Sequence, residues 1–177
     1  MSIENLKNQL PEFAKDIRLN LSSVMTSEGA PDLSQKQIHA IALACAFAAK
    51  NDFVIAAMLK TSAANLSADE MNGVKSAATI MAMNNIYYRF VHLASDNAYS
   101  SLPVKLRMNV IGNPGMDKTD FELCCLAISA INGCGMCLDA HANALHKAGV
   151  SKLAIQSAIR IASVLNATAT AITFVAQ

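Results

Sequence analysis

The sequence predicts an all-α fold, and three observations support that prediction. Alanine is abundant, whereas glycine and proline contribute only 7 and 4 of the 177 residues, a composition that favours helices. Three capping-box patterns, each with a hydroxyl residue three positions before Gln or Glu, recur at helix-length intervals. No run of alternating apolar and polar residues is long enough to propose a strand.

The helix boundaries follow from start and stop signals along the chain. Capping boxes open at Ser34, Ser67 and Thr119, and Gly149 suits the end of a helix. The last predicted helix could break near Asn166, which interrupts an apolar run. The predicted helices lie near residues 11–21, 34–49, 52–63, 67–91, 118–131, 134–147 and 151–175.

The two halves of the chain resemble each other. Residues 33–90 can be laid over residues 116–174 at an offset of 83 to 84, which aligns helix starts and several apolar positions. Between the halves, Leu102–Pro114 contains Pro103 and ends in Gly-Asn-Pro-Gly, which predicts an irregular connection. We therefore expect one all-helical domain, 1–177, with an internal repeat, although amphipathic helix pairs also align by chance.

Composition and charge limit the kinds of molecule that the protein is expected to bind. Apolar residues make up 53% of the chain and charged residues 15%, with a formal net charge of +1. Because the charges do not cluster by sign, neither nucleic acid nor an anionic membrane surface is an expected partner. The high apolar fraction predicts helices buried on several faces, within a core or against other subunits.

The N-terminal residues and the cysteine count predict a cytoplasmic protein. Met1–Lys7 carries charge where a secretory signal would be apolar. The apolar stretches Ile38–Ala49 and Ile161–Val175 are too short or too interrupted by polar residues for a membrane span, so buried helices are expected. The cysteines number five, and an odd count argues against a secreted disulfide framework.

The candidate active site is a Cys-X-X-Cys motif followed by a histidine. Asn132-Gly133 interrupts one helix and places Cys134 at the start of the next, where free backbone N–H groups and the helix dipole favour a thiolate. Cys137 lies on the same helical face, close enough for a reversible disulfide. His141 follows four residues later and can accept or shuttle the thiol proton.

Each of these residues also has an alternative explanation. Cys134, Cys137 and His141 could supply three zinc ligands with Glu122 as the fourth, although no second motif completes a closed site. Glu122 could instead close the capping box opened by Thr119. The other cysteines and histidines belong to no motif: Cys45, Cys124 and Cys125 are expected in the core, and His39, His92 and His146 receive no role.

Several segments of the sequence resemble a known family. One of them contains Glu-X₁₁-Cys-X₂-Cys-X₃-His, which is a specific pattern, whereas a lone Cys-X-X-Cys is not. On these segments the chain resembles the alkylhydroperoxidase D family of the carboxymuconolactone decarboxylase-like superfamily. The segments are Met1–Lys7, Leu10–Ile17, Met83–Arg89, Leu106–Gly115 and Phe121–His141.

The resemblance implies a fold, an assembly and an activity. The fold is all-α with an internal helical repeat, assembled as a ring-shaped homotrimer. The activity is reduction of organic hydroperoxides and of a partner peroxiredoxin, the alkyl hydroperoxide reductase C protein. Electrons would come from a dihydrolipoyl group on the acyltransferase component of a 2-oxo acid dehydrogenase complex, with no bound cofactor and no metal.

The resemblance also implies a role for each signature residue. Cys137 would be the peroxidatic cysteine that becomes a sulfenic acid, and Cys134 the resolving cysteine and proton donor. His141 and Glu122 would relay protons. The helix-terminus argument favours Cys134 as the thiolate instead, but a base four residues away removes the Cys137 proton directly. Many members have His where this chain has Met136, so that auxiliary imidazole is missing.

Two other functional classes compete with a peroxidase. A thiol–disulfide adaptor would pass electrons to a peroxiredoxin with little peroxidase activity of its own, and it needs the same four residues. A superfamily decarboxylase or a non-catalytic helical scaffold does not depend on a cysteine pair. The set Cys134, Cys137 and His141 therefore argues against that last class.

Overall fold

The computed structural model describes residues 2–175 and confirms the all-α prediction. Within that range the chain forms eight α helices and three short 3₁₀ turns, and it contains no strand. The α helices are α1 Ile3–Gln9, α2 Lys15–Val24, α3 Gln35–Ala49, α4 Asp52–Ser62, α5 Ala68–Leu93, α6 Lys118–Ile131, α7 Gly135–Lys147 and α8 Lys152–Val175. The 3₁₀ turns span Glu12–Ala14, Asn97–Ser101 and Asn109–Ile111.

Helices α3 and α6 form the centre of the core. They pack against each other, and both also contact α5 and α8. Every residue of α3 between 38 and 46 is buried, and so is every residue of α6 between 120 and 129. A helix that is buried on all faces needs mostly apolar residues all round, which explains why polar residues are few in these two runs.

The predicted capping boxes are confirmed at two helix starts and wrong at the third, where the helix itself begins as predicted. Ser34 and Ser67 each accept a hydrogen bond from the backbone three residues on, with the reciprocal side-chain bond in place. Helix α6, by contrast, is capped by Asp117, whose Oδ1 accepts from the N–H groups of Thr119 and Asp120 at 2.9 and 3.0 Å. Because α6 begins before Thr119, Glu122 lies too far along the helix to close a cap.

The irregular connection predicted at 102–114 is present and includes the 3₁₀ turn Asn109–Ile111. Two smaller expectations need correction. The helix expected at 11–21 is the 3₁₀ turn Glu12–Ala14 followed by α2, and a further helix that was not predicted, α1, precedes it. Ser2 opens α1 with a capping box to Asn5. Helix α8 runs unbroken through Asn166, which is exposed on its polar side.

Helix α8 is the one helix in residues 2–175 that is long and apolar enough, by length and composition, to cross a membrane. Its buried residues recur at helical spacing from Ala154 to Ile172, and it packs against α2, α3 and α6. These contacts make α8 a helix of the core in this structure.

The spacing of the helices supports the internal repeat, which stays a prediction. Helices α3, α4 and α5 begin 83, 83 and 84 residues before α6, α7 and α8. A hydrogen bond joins corresponding positions of the two halves: Gln37 Nε2 donates to Asp120 Oδ1 at 2.9 Å, and these residues are 83 positions apart. Lys36 adds an ion pair to the other Asp120 oxygen at 3.0 Å.

The N-cap of α6 can be tested by stability. Asp117→Ala should lower the free energy of unfolding by about 1 kcal/mol, because two N–H groups of the first turn lose their acceptor. Thr119→Ala is the matched control and should change stability by less than about 0.5 kcal/mol. Urea denaturation of both variants measures the difference. The opposite ranking would make Thr119 the cap.

Candidate active site

The turn between α6 and α7 positions the first cysteine. Helix α6 ends in a Schellman motif: the Gly133 N–H donates to Ala130 O at 3.2 Å and the Cys134 N–H donates to Ser129 O at 3.1 Å. Gly133 has φ +68°, a conformation that glycine adopts without a Cβ penalty. Cys134 is then also the N-cap of α7. One residue thus closes α6 and opens α7.

Helix α5 anchors this turn with a polar network that runs from the buried Asn85 to the exposed Arg89. Asn85 donates from Nδ2 to Ser129 Oγ at 2.9 Å and accepts at Oδ1 from Asn132 Nδ2 at 2.9 Å. Arg89 Nη1 donates to the Asn132 carbonyl at 2.7 Å. Because every bond ends on the last turn of α6, the network holds the start of α7 in a defined place.

Cys134 and Cys137 are joined as a disulfide, with their Cα atoms 5.3 Å apart. The Cys134 sulfur also accepts the Cys137 N–H at 3.3 Å, which is the capping bond of α7. The two sulfurs are not equally accessible: Cys134 is 0% exposed and Cys137 is 6% exposed. An approaching molecule therefore reaches Cys137 first.

Glu122 and His141 form a buried pair between α6 and α7. His141 Nδ1 lies 2.7 Å from Glu122 Oε2, and each side chain is 12% exposed. A carboxylate only accepts, so Nδ1 carries the hydrogen and the Nε2 lone pair of the neutral ring is free to take a proton. Met81 Sδ lies 3.2 Å from Nε2. In this tautomer neither Nε2 nor the thioether sulfur carries a hydrogen, so no hydrogen bond joins them and Nε2 stays available.

A cavity of about 310 Å³ opens beside Cys137 and His141. Its wall comes from α5, α7 and the connection before α6, and it is mainly apolar. Cys134 is absent from the wall, so the cavity reaches only one of the two sulfurs. The other wall residues are Met81, Asn84, Tyr88, Met108, Ile111, Met136 and Ala140.

The remaining cysteines are poor nucleophiles. Cys45, Cys124 and Cys125 are fully buried free thiols, as expected from the sequence. Burial raises the pKa of each thiol far above its ordinary value, so all three stay protonated at neutral pH. Residues 2–175 also contain no group of three or more His, Cys, Asp or Glu side chains suited to hold a metal ion.

The structure brings together all four residues of the signature. Glu122 lies on α6, Cys134 at the α6–α7 turn, and Cys137 and His141 on α7. The contribution of α5, which supplies Met81 and two further wall residues, could not be predicted from the sequence. Their spacing of three to four residues marks one helical face, but no motif distinguishes that face from an ordinary buried one.

The fold and the site together define a helical thiol–disulfide redox protein. A disulfide that can be approached from one side lies beside an imidazole able to take and return a proton. No other thiol within residues 2–175 combines access with such a partner.

Comparison with known proteins gives the family. The family model described as "Carboxymuconolactone decarboxylase family" matches residues 98–177. A protein of Bradyrhizobium sp. (strain ORS 278) named "Alkyl hydroperoxide reductase AhpD" is 55% identical over 97% of this chain and 93% of its own length. Proteins of the same name from Coxiella burnetii and Brucella anthropi are 54% and 52% identical, over 93% and 97% of this chain, and 93% and 97% of their own. The chain belongs to the AhpD family, as the resemblance predicted.

Proposed function

We propose that the protein is an alkyl hydroperoxide reductase in which Cys137 attacks the peroxide. The observation that carries this proposal is the difference in access between the two sulfurs. Cys137 and His141 line the same cavity, whereas Cys134 is fully buried and does not line it. The apolar wall suits the alkyl part of an organic hydroperoxide. The names of the relatives support the same activity.

The first chemical step requires a Cys137 thiolate. In the reduced protein His141 Nε2 takes the thiol proton while Glu122 holds Nδ1–H and stabilises the imidazolium. The Cys137 sulfur then attacks the terminal peroxide oxygen. A sulfur–oxygen bond forms as the oxygen–oxygen bond breaks, so the sulfur loses two electrons and becomes a sulfenic acid. The alkoxide that leaves takes the Cys134 thiol proton and departs as an alcohol.

The second step closes the disulfide seen in the structure. The Cys134 thiolate attacks the Cys137 sulfenic acid, the sulfur–sulfur bond forms, and hydroxide leaves. The hydroxide takes the proton from His141 and becomes water, which returns the imidazole to its starting state. Closing the disulfide protects Cys137 from further oxidation.

A dithiol is the expected reductant because it can reopen the disulfide through a mixed disulfide. The proposal is that a dihydrolipoyl group, carried by a lipoylated acyltransferase component, supplies the electrons in the cytoplasm. The reduced protein would also regenerate a partner peroxiredoxin of the alkyl hydroperoxide reductase C type. No bound cofactor or metal is part of this cycle. The alternative remains an adaptor that needs the peroxiredoxin to act on peroxide at all.

An exposed apolar surface supports the proposed homotrimer. It lies along the last turns of α5 and the segment that follows, and a groove crosses it beside Arg89. Apolar surface of this kind in a soluble protein commonly marks an interface. Its exposed apolar residues are Ile86, Phe90, Leu93, Tyr99 and Leu102.

The proposed activity can be tested with the purified full chain, cumene hydroperoxide and dihydrolipoamide. Turnover without any peroxiredoxin is expected, and a strict requirement for one would favour the adaptor. Cys134→Ser should form one sulfenic acid at Cys137, trappable by dimedone, but should not turn over. Cys137→Ser should react at least about 100-fold more slowly with peroxide, because the accessible nucleophile is gone.

The control for these cysteine variants is Cys45→Ala. It removes a buried thiol whose raised pKa keeps it protonated, so turnover should stay at the wild-type level. Sulfenic acid trapped at Cys134 of Cys137→Ser at the wild-type rate would reverse the assignment of the two thiols.

The His141–Glu122 pair should act through proton transfer rather than through stability. His141→Asn keeps a donor at the position of Nδ1 toward Glu122 but has no site for the thiol proton, so sulfenic acid formation near pH 7 should slow by about 100-fold. The rate should recover above about pH 9, where a free thiol ionises unaided. Glu122→Gln, which removes the charge that stabilises the imidazolium, should show the same pH dependence more weakly.

Dimedone trapping across this pH range, together with melting temperatures, separates a role of the pair in proton transfer from a role in stability. Equal rates in wild type and His141→Asn at pH 7 would show that His141 is not the base. A lowered melting temperature with unchanged rates would make the pair purely structural.

The trimer proposal predicts a mass in solution. Light scattering should give three times the 18.8 kDa chain mass. Leu93→Asp should lower that mass, because Leu93 is 71% exposed in the single chain and a carboxylate there could not be buried in an interface. The matched control Leu19→Asp changes an exposed leucine on α2 and should leave the mass unchanged. A monomer mass for wild type would contradict the proposal.

A further inference from the structure

The sulfur of Met81 lies directly against the ring nitrogen of His141 that is free to take a proton. Met81 Sδ is 3.2 Å from His141 Nε2, and Met81, on α5, is 1% exposed. This distance is shorter than an ordinary contact between two carbon atoms, about 3.5–4.0 Å, although sulfur is the larger atom. Among residues 2–175, no other acceptor lies within hydrogen-bonding distance of Nε2. A contact this short suits a hydrogen bond from a protonated Nε2.

Two hydrogen bonds from the core hold the sulfur in this position. Ser129 Oγ donates to Met81 Sδ at 3.7 Å, and Asn85 Nδ2 donates to it at 3.8 Å. Ser129 and Asn85 are themselves buried and bonded to each other. Because a methionine side chain is flexible, such contacts are needed to keep its sulfur beside the ring. The Asn85 network therefore reaches His141 through Met81.

The contact favours one protonation state of His141. A neutral ring with its hydrogen on Nδ1 presents a lone pair at Nε2, and the thioether sulfur has no hydrogen to share with it. A protonated ring has a second N–H group, at Nε2, and this group points at Met81 Sδ. Glu122 Oε2 lies 2.7 Å from Nδ1, so both N–H groups of the protonated ring then have acceptors. A buried N–H group of a charged ring is costly to leave without one.

We infer that Met81 is a positioning residue: it accepts the Nε2–H hydrogen bond that forms when His141 takes the thiol proton of Cys137. This inference rests on the proposed function, in which Cys137 reacts as a thiolate. In the proton transfer the S–H bond of Cys137 breaks and an N–H bond forms at Nε2, which leaves a thiolate and an imidazolium. Acceptors at both nitrogens, Glu122 and Met81, stabilise the imidazolium and hold the ring in one orientation. A larger fraction of the reduced protein therefore carries the thiolate.

The ionisable groups around His141 are few. Glu122 of α6 is its ion-pair partner, and the cavity wall adds Cys137 of the same helix and Tyr88 of α5. Cys125, one turn from Glu122 on α6, stays protonated because burial raises its pKa. Changes in reactivity near neutral pH therefore report on the proton that His141 takes from Cys137.

The test measures the reactivity of Cys137 in the Cys134→Ser background, where it can react only once. Iodoacetamide alkylates a thiolate without any peroxidase activity, whereas cumene hydroperoxide reports on the proposed reaction. Met81→Leu keeps most of the side-chain volume but has no acceptor. It should slow both reactions near pH 7 by about fivefold, the loss expected for one weak hydrogen bond. Above about pH 9, where a free thiol ionises unaided, the loss should disappear.

The decisive comparison repeats these measurements without the imidazole. In the His141→Asn background Met81→Leu should change neither rate, because no Nε2–H group remains to be accepted. A purely structural role of Met81 would give the same loss in both backgrounds. Met58→Leu is the matched control: it replaces another buried methionine, on α4, and should leave both rates unchanged.

Nitrogen NMR of the labelled His141 ring gives a second readout that does not depend on rates. Near pH 7 the protonated fraction of the ring in the reduced protein should be lower in Met81→Leu than with Met81 in place. Met81→Ile should give the same results, which covers the case in which a leucine does not fit.

The outcomes separate this inference from the proposed function. Unchanged rates in both Met81 variants near pH 7, or an equal loss with and without His141, would overturn the role of Met81 and leave the peroxidase intact. If Cys137 reacts with iodoacetamide but not with cumene hydroperoxide while Met81 is present, the proposed function fails. The alkylation rates then still decide whether Met81 supports the thiolate.

Discussion

The burial of a carboxylate and an imidazole together constrains the rest of the structure. Glu122 Oε2 and His141 Nδ1 are 2.7 Å apart, each side chain is only 12% exposed, and a charge that is largely buried is tolerated only with a partner. Helix α7 must therefore dock on α6 in one register. The Schellman turn at Gly133 fixes that register through the short connection between α6 and α7. The hydrogen bonds that Asn85 of α5 makes to the last turn of α6 fix it through the core. The same geometry brings Cys137 to the cavity and leaves Cys134 buried.

Much of the fold could be predicted because helix termini have local chemistry. Ser34 and Ser67 satisfy backbone groups within their own first turn, so the signal is complete in a few residues. The same reasoning failed at α6, where Asp117 is the better-placed acceptor and a hydroxyl residue happened to stand two positions later. The prediction of a break at Asn166 was wrong for another reason. Asn166 lies on the solvent-exposed face of α8, where a polar residue does not interrupt an amphipathic helix.

The candidate site was predictable only in part. Spacing alone relates Cys134, Cys137 and His141, because all three lie on or beside one helix. Glu122 is 19 residues away from His141 along the chain, so spacing left its role undecided. The family signature assigned it to the site, and the docking of α6 on α7 places it there. The sequence also does not distinguish Asn84 from Asn85: only the packing of α5 shows that Asn85 is hydrogen-bonded to the end of α6, whereas Asn84 lines the cavity.

The helix terminus at Cys134 and the greater access to Cys137 act at different steps of the proposed cycle. Access decides which sulfur meets peroxide, and it also decides which sulfur a reducing thiol attacks; both are Cys137. The helix terminus acts on Cys134, the sulfur that leaves when the disulfide is reduced. When a dithiol attacks Cys137, Cys134 leaves as a thiolate at the N-cap of α7, where the Cys137 N–H already donates to its sulfur. A stabilised leaving thiolate departs faster. The helix terminus, which favoured Cys134 as the nucleophile, therefore assists the reopening of the disulfide. It does not change which sulfur the peroxide meets.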